Sequence, residues 1–256
     1  AGSEEARPAG GGVPGPWPRP LSSACILLNR ISSHWQLLPP AGETCPRRVL
    51  LVHCHPRASS FSAACADAVA TSLVEAGHEV RWRTLYQYES ETVPEGLRTG
   101  SPYVSLPSPQ APLSTSSTSG FSPMLTAEER GGYYSIAERG AEVLAPEVAE
   151  AVEDLRWAQD LILVYPTWWF NFPAALKGWV DRVFLPHVAF RLPGKHGVHG
   201  EVAATGLEPL LTNIERVGVV TTYGASRLVV TAAGDNGRRM ISNGLRPLFA
   251  SNCVVM

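Results

Sequence analysis

Three short stretches hold the side chains best placed for chemistry in this chain of 256 residues. The first runs His55-Pro56-Arg57-Ala58-Ser59-Ser60-Phe61-Ser62. The second is Pro166-Thr167-Trp168-Trp169-Phe170-Asn171, and the third is Thr221-Thr222-Tyr223-Gly224. The first offers three serine hydroxyls just where a helix should open. Backbone N–H groups at a helix N-terminus attract phosphate, and hydroxyl donors add to that. The second concentrates flat aromatic faces in a loop. The third supplies more hydroxyls and, at Gly224, room for close backbone approach.

The elements around them explain how three distant stretches could meet. Arg47 to Cys54 reads as a strand, with Val49 to Val52 apolar on both faces, as suits the middle of a parallel sheet. Phe61 to Ala76 has helical spacing, Ser59 or Ser60 can cap it, and Gly77 stops it. His78 to Leu85 alternates as a second strand, completing a right-handed βαβ unit. Thr126 and Glu129 form a capping-box pair, and Pro146 to Trp157 is helical. Leu161 to Tyr165 is a buried strand, and Ala174 to Phe184 is a helix with Pro173 at its start. Val217 to Thr221 gives a fourth strand. Arg227 to Ala250 is mostly helical with a break at Gly234–Gly237, and Cys253 to Met256 begins a fifth strand. Strands alternating with helices predict an α/β fold, a doubly wound five-stranded parallel sheet of order 2-1-3-4-5 with helices on both faces. In that order strands 1, 3 and 4 are neighbours, so the three loops converge on one crevice.

Composition narrows the partners. The formal net charge is −2, against a dedicated nucleic-acid binder. Cys25, Cys45, Cys54, Cys65 and Cys253 are scattered and odd in number, which favours reduced thiols and a cytoplasmic setting, with organellar targeting left open. No apolar run reaches the roughly 18–20 residues of a membrane span. Residues 1–46 are rich in Gly and Pro and are expected to be a disordered extension. Residues 47–256 form one domain, interrupted by a Pro/Ser-rich insertion at about 89–123.

A phosphate cradle beside an aromatic wall suggests a flavin nucleotide. No G-x-G-x-x-G follows the first strand, so the nicotinamide-binding Rossmann fingerprint is absent there. Blander readings stand beside this one. The serines could be plain helix caps, Trp168, Trp169 and Phe170 could be core, and His55 could be a satisfied loop histidine. His187, His196 and His199 are irregularly spaced with no Cys or carboxylate at ligand spacing, so they read as solvated rather than metal-binding. Lys177 and Asp181, at i and i+4, read as a surface ion pair.

The runs HPRASSFSAA, YPTWWFNFPAALKGWVDRVF and GVVTTYG together resemble the flavodoxin-like NAD(P)H:quinone oxidoreductase family. The second run is the most diagnostic. The resemblance covers roughly Arg47–Tyr88 and Met124–Met256. It implies FAD, or alternatively FMN, with NAD(P)H as co-substrate and ping-pong hydride transfer through flavin N5 to a quinone. It assigns His55, Ser59, Ser60, Phe61 and Ser62 to the flavin phosphates. Pro166, Thr167, Trp168, Trp169 and Phe170 fall against the ring, and Thr221, Thr222, Tyr223 and Gly224 near its pyrimidine side. Phe190 and Trp168 are implied in acceptor binding, Phe190 across the interface of a homodimer. An azo- or nitroreductase and a non-catalytic flavin-binding subunit of a potassium-efflux system are the alternatives it leaves. Mammalian members carry a Tyr and a His after the third loop, where this chain has Ala225-Ser226-Arg227-Leu228.

Overall fold

Strands that are apolar on both faces can be stable only if both faces are covered. That requirement organises the chain in its computed structural model, which describes residues 45–86, 121–135, 143–192 and 206–256. β1 (Arg48–His53) is the hub. It pairs in parallel with β2 (Glu79–Thr84) on one side and β3 (Asp160–Pro166) on the other. Beyond a separate antiparallel pair, β4 (Phe190–Arg191) and β5 (Glu208–Pro209), the chain returns as β6 (Arg216–Thr222) beside β3. β7 (Val254–Val255) closes the edge against β6. The main sheet is thus ordered β2-β1-β3-β6-β7. Counting only its own strands, this is the expected 2-1-3-4-5.

Side-chain alternation splits the core in two. Leu50, Val52, Leu161, Leu163, Tyr165 and Val217 face one side and are buried under α3 (Pro146–Trp157) and α4 (Ala174–Val183). Val49, Leu51 and Val164 face the other, against Ala66 and Ala70 of α1 (Phe61–Glu75). Ser60 caps α1, its hydroxyl accepting from the Ala63 N–H at 3.0 Å, and Gly77 follows the helix at φ 85°.

The capping box forms at α2 (Ala127–Gly132). Thr126 Oγ1 accepts from Glu129 N–H, and Glu129 Oε2 accepts from Thr126 N–H at 2.7 Å. Glu129 has a second task that no local pattern announces. It receives Arg182 of α4, both residues being buried. Arg182 also donates to Glu147 Oε1 at 2.9 Å and to the Ser122 carbonyl at 2.7 Å. One guanidinium therefore fastens α2, α3 and the 121–123 stretch to α4. The expected surface pair Lys177–Asp181 also forms.

Two regions differ in detail from the sequence reading. The stretch after Phe184, read as loop, contains the β4–β5 pair. Two-residue strands are too short to alternate visibly, and Arg191 reaches Glu208 across the pair at 2.8 Å. The helical run from Arg227 is broken as expected, into α5 (Arg227–Ala232) and α6 (Asn236–Arg239). It then widens into a π turn at Met240–Leu245 and ends in a 3-10 turn at Arg246–Leu248. Among the described residues no helix is long and apolar enough to cross a membrane. The extension at 1–46 lies outside the described residues except for its last two positions, and the insertion at 89–123 except for its last three. His196 and His199 also lie outside them.

Candidate functional site

The carboxyl ends of β1, β3 and β6 lie side by side, because these strands are direct neighbours in register. The loop after β1 continues from Cys54, whose N–H donates to Val164 O at 2.9 Å. His55 Nδ1 accepts from the Arg57 N–H at 3.0 Å, which folds this loop back on itself. Ser59 is exposed, Ser60 is the cap, and Phe61 points largely to solvent. Ser62 is different. Its side chain is 4 % exposed, and its Oγ has no hydrogen-bond partner among the described residues. A buried hydroxyl without a partner costs about 1–3 kcal/mol. At the first turn of a 15-residue helix it stands where an anion's oxygens would satisfy it.

The loop after β3 is a tight turn. Trp168 N–H donates to Asn171 O at 3.1 Å, and Asn171 N–H returns to Trp168 O at 3.0 Å. The two residues between them, Trp169 and Phe170, have φ of 48° and 58°. Two-residue hairpin turns with both central φ positive favour Asn-Gly, not aromatics. This geometry drives Trp169 out, 94 % exposed, while Phe170 is half-buried. The reading of Trp169 as core is therefore wrong. At 94 % exposure its indole has almost no contact with the core. Trp168 tilts beside His55, with ring centroids 6.3 Å apart, so it bridges the first two loops. Pro166 is buried at the end of β3.

The loop after β6 completes a cleft of about 200 Å³ lined by Thr167, Trp169, Phe170, Tyr223, Gly224, Ala225 and Val230. Thr167 ties its two sides together: its N–H donates to Thr222 O at 2.8 Å, and its Oγ1 lies 3.0 Å from Thr221 Oγ1. Nothing stands within 4 Å of where a Cβ would project at Gly224, so the cleft is open there. Tyr223 donates its phenolic proton to Asp235 Oδ1 at 3.1 Å. Burial first, then the charge and hydrogen bond of Asp235, hold this phenol above its usual range. The Thr167 side chain and the Arg238 charge pull the other way. Near the end of β3 Tyr165 is buried edge-on to Phe172, and burial raises its phenol as well. Cys54, beneath the first loop, is pushed up to about 12 by burial and is no thiolate.

The three sequence-predicted loops thus adjoin. Thr167, Trp169, Phe170, Tyr223 and Gly224 share one cleft, and Thr221 and Thr222 support it from β6. His55 and Ser59 to Ser62 sit on the neighbouring loop and do not line that cleft. Phe190 is half-buried against the main core and does not line the cleft of its own chain. Sequence reasoning missed Ala225, Val230 and Asp235. Asp235 adopts left-handed backbone, φ 44°, beside Gly234 at φ 98°. The Gly-Asp-Asn-Gly run was the only signal, and it marks a turn without saying what the carboxylate meets.

These residues suit a flat aromatic group with a phosphate tail. The orphaned Ser62 hydroxyl, the outward indole and the open space at Gly224 are what such a ligand would fill.

The family model described as the flavodoxin-like fold matches residues 47–250. Among curated proteins, an uncharacterised NAD(P)H oxidoreductase of Escherichia coli is 27% identical over 143 residues, 56% of this chain and 55% of that protein. A ribosyldihydronicotinamide dehydrogenase-like protein of Penicillium crustosum is 30% identical over 141 residues, 54% of this chain and 43% of that protein. The chain thus spans about half the length of the curated relatives it matches. Among solved structures, an NAD(P)H:quinone oxidoreductase from Methanothermobacter marburgensis aligns with a TM-score of 0.53 at 22% identity, over 83% of this chain and 86% of that one. An azoreductase from Bacillus anthracis also gives 0.53, at 12% identity, over 82% and 85%. At such identities these two likenesses concern the fold alone.

Proposed function

We propose that this chain, which belongs to the family of the flavodoxin-like fold, is a flavin-dependent NAD(P)H:quinone oxidoreductase. The observation that carries the reading is the cleft at the carboxyl edge of β3 and β6, walled by an outward indole held on a strained turn. Ligands in such sheets bind outside strand carboxyl ends at the switch point, here between β1 and β3, and the cleft adjoins that point on its β6 side. The Escherichia coli relative, an NAD(P)H oxidoreductase, and the Penicillium relative, a ribosyldihydronicotinamide dehydrogenase-like protein, support oxidoreductase chemistry.

The bound flavin, FAD by resemblance, would supply the hydride chemistry in a ping-pong sequence between NAD(P)H and the quinone. The chain's own residues bind and orient. Ser62 Oγ and the first-turn N–H groups of α1 hold the phosphates, with His55, Ser59, Ser60 and Phe61 forming the surrounding loop. Trp168, Trp169 and Phe170 make one wall, and Thr221 to Gly224 the other. The Thr167–Thr221 hydroxyl contact keeps the two walls at fixed spacing. Trp169 on the cleft wall and, on α5, Leu228 and Val229 expose apolar surface, and a homodimer would cover them, bringing Phe190 of a second copy to the acceptor.

The test is direct. The purified chain is loaded with FAD or FMN, its absorbance is recorded, and NADPH oxidation is followed with a benzoquinone. A flavin band together with quinone-dependent turnover is expected. Absence of any flavin band with either cofactor overturns the reading, and a flavin-loaded chain without turnover replaces it with a binding subunit. The mass of the cofactor released on denaturation decides between FAD and FMN.

A further inference from the structure

One polar feature of the cleft has no part in holding a flat ring: the link from Tyr223 to Asp235. Tyr223 lines the cleft, and its proton is committed to Asp235 Oδ1 at 3.1 Å. Asp235 is held in left-handed backbone, φ 44° and ψ 54°. A non-glycine residue in that region costs of order 1–2 kcal/mol and persists only where its surroundings over-determine it. They do so here. Asp235 N–H donates to Val230 O at 3.0 Å, and Asp235 O accepts from Arg239 N–H at 3.1 Å. Gly237, two residues on, packs so closely that a Cβ there would meet the Tyr165 hydroxyl at 3.3 Å and the Phe172 ring at 3.7 Å. The turn is therefore docked against the Tyr165–Phe172 pair, which holds the backbone that carries the carboxylate. Arg238 follows three residues on in α6, exposed, and its charge acts on the same phenol in the opposite sense to that of Asp235.

The cleft-lining Tyr223 thus has an anion one hydrogen bond away, with the cation of Arg238 three residues further along the chain. A full charge held near a bound ring alters that ring's electronics whichever edge faces it. A reduced flavin carries more negative charge than an oxidised one. A fixed carboxylate disfavours the reduced form, and a guanidinium favours it.

Resting on the flavin reading above, we propose that Asp235 is a positioning residue that sets the reduction potential of the flavin through Tyr223, opposed by Arg238. The pair makes the flavin a stronger hydride donor towards its acceptor than the cleft would otherwise allow. Asp235 leads because it is half-buried, its backbone is anchored and it is hydrogen-bonded to Tyr223, whereas Arg238 is exposed and more screened by salt.

The experiment is a potentiometric titration of the flavin-loaded protein, followed by absorbance. Asp235→Asn keeps a side chain that tolerates left-handed backbone and an oxygen to accept from Tyr223, and removes only the charge. The bound flavin should shift to a more positive potential, by about tenfold in the reduced-to-oxidised equilibrium or about 30 mV for two electrons. Arg238→Gln should shift it the opposite way and by less. In a Tyr223→Phe background the Asp235→Asn shift should fall by at least half. No shift with Asp235→Asn, or shifts of the same sign in both variants, overturns the inference. A full-sized shift without the phenol overturns the role of Tyr223. If the unaltered chain binds no flavin, the oxidoreductase reading falls and this inference with it. If flavin binds and the potential ignores Asp235, this inference falls alone.

Discussion

Trp168 and Asn171 exchange two backbone hydrogen bonds, at 3.1 and 3.0 Å, and so force the two aromatic residues between them into left-handed backbone. Left-handed conformation costs a side-chain-bearing residue about 1–2 kcal/mol. Spending it twice in succession on Trp and Phe, with the Trp left in solvent, makes no sense for stability alone. Strain of this kind concentrates where a side chain must be presented rather than packed.

Trp169→Gly should therefore separate stability from binding. Glycine accepts positive φ without penalty, and the indole contributes almost no burial, so the variant should gain about 1 kcal/mol of stability. The same change removes part of the ring's wall. Aromatic contacts contribute about 0.5–1.5 kcal/mol, so flavin affinity should fall about two- to tenfold. Thermal melts and a flavin fluorescence titration read the two effects. A variant that is less stable, or that binds flavin as well as the parent, would show that the turn is not strained for the ligand's sake.

The Arg182–Glu129 contact makes a prediction about assembly of the domain. Arg182 Nε donates to both Glu129 oxygens at 3.0 and 2.9 Å, and Nη2 to Oε1 at 2.7 Å, with both side chains buried. Removing one partner of a buried pair strands the other charge, at about 3–5 kcal/mol. Glu129→Ala should lose that much in urea denaturation. Glu147 supplies a residual partner, so the double variant Glu129→Ala/Glu147→Ala should lose more than either single one. A loss under about 1 kcal/mol for Glu129→Ala would mean that this network is ornamental.

Gly178 tests the same seam without changing charge. A Cβ at this position of α4 would fall 2.3 Å from the Pro123 carbonyl oxygen, a backbone atom that cannot swing aside. Gly178→Ala should thus destabilise by about 1–3 kcal/mol, although alanine is the better helix former. A neutral or stabilised variant would place the 121–123 stretch away from α4 in solution.

His53 should impose a pH dependence. It is 1 % exposed at the end of β1, edge-on to Trp82 with centroids 6.2 Å apart. Burial first, then the charge of His55, lowers it from 6.5 to about 4. Between those values the unfolded chain binds the proton and the folded one does not, so stability rises with pH across that window. The full contribution is present above about pH 6.5 and is lost as pH falls towards 4, on the order of 3 kcal/mol. Denaturation midpoints measured from pH 7.5 to 4.5 should show this slope, and His53→Gln should flatten it. An equal slope in the variant would assign the effect to other groups.

The strand and helix order was legible from local patterns, because each signal was complete within a few residues. Val49–Val52 and Leu161–Tyr165 are apolar on both faces, which only a covered parallel strand tolerates. Pro146 and Pro173 sit at helix starts, and Ser60 and Thr126 cap as their neighbours predict. Since β1, β3 and β6 are adjacent parallel strands in the expected order, the grouping of their carboxyl-end loops also followed from sequence. What each side chain does once there did not. Trp169 reads equally as core or as wall until the backbone signs of two φ angles are known. Glu129 announces itself as a cap, yet its larger role is with Arg182, 53 residues away. Asp235 is one letter in a turn until the fold brings Tyr223 against it. Such roles depend on contacts between residues far apart in the chain, and the local rules of propensity and spacing carry no information about which distant partners will meet.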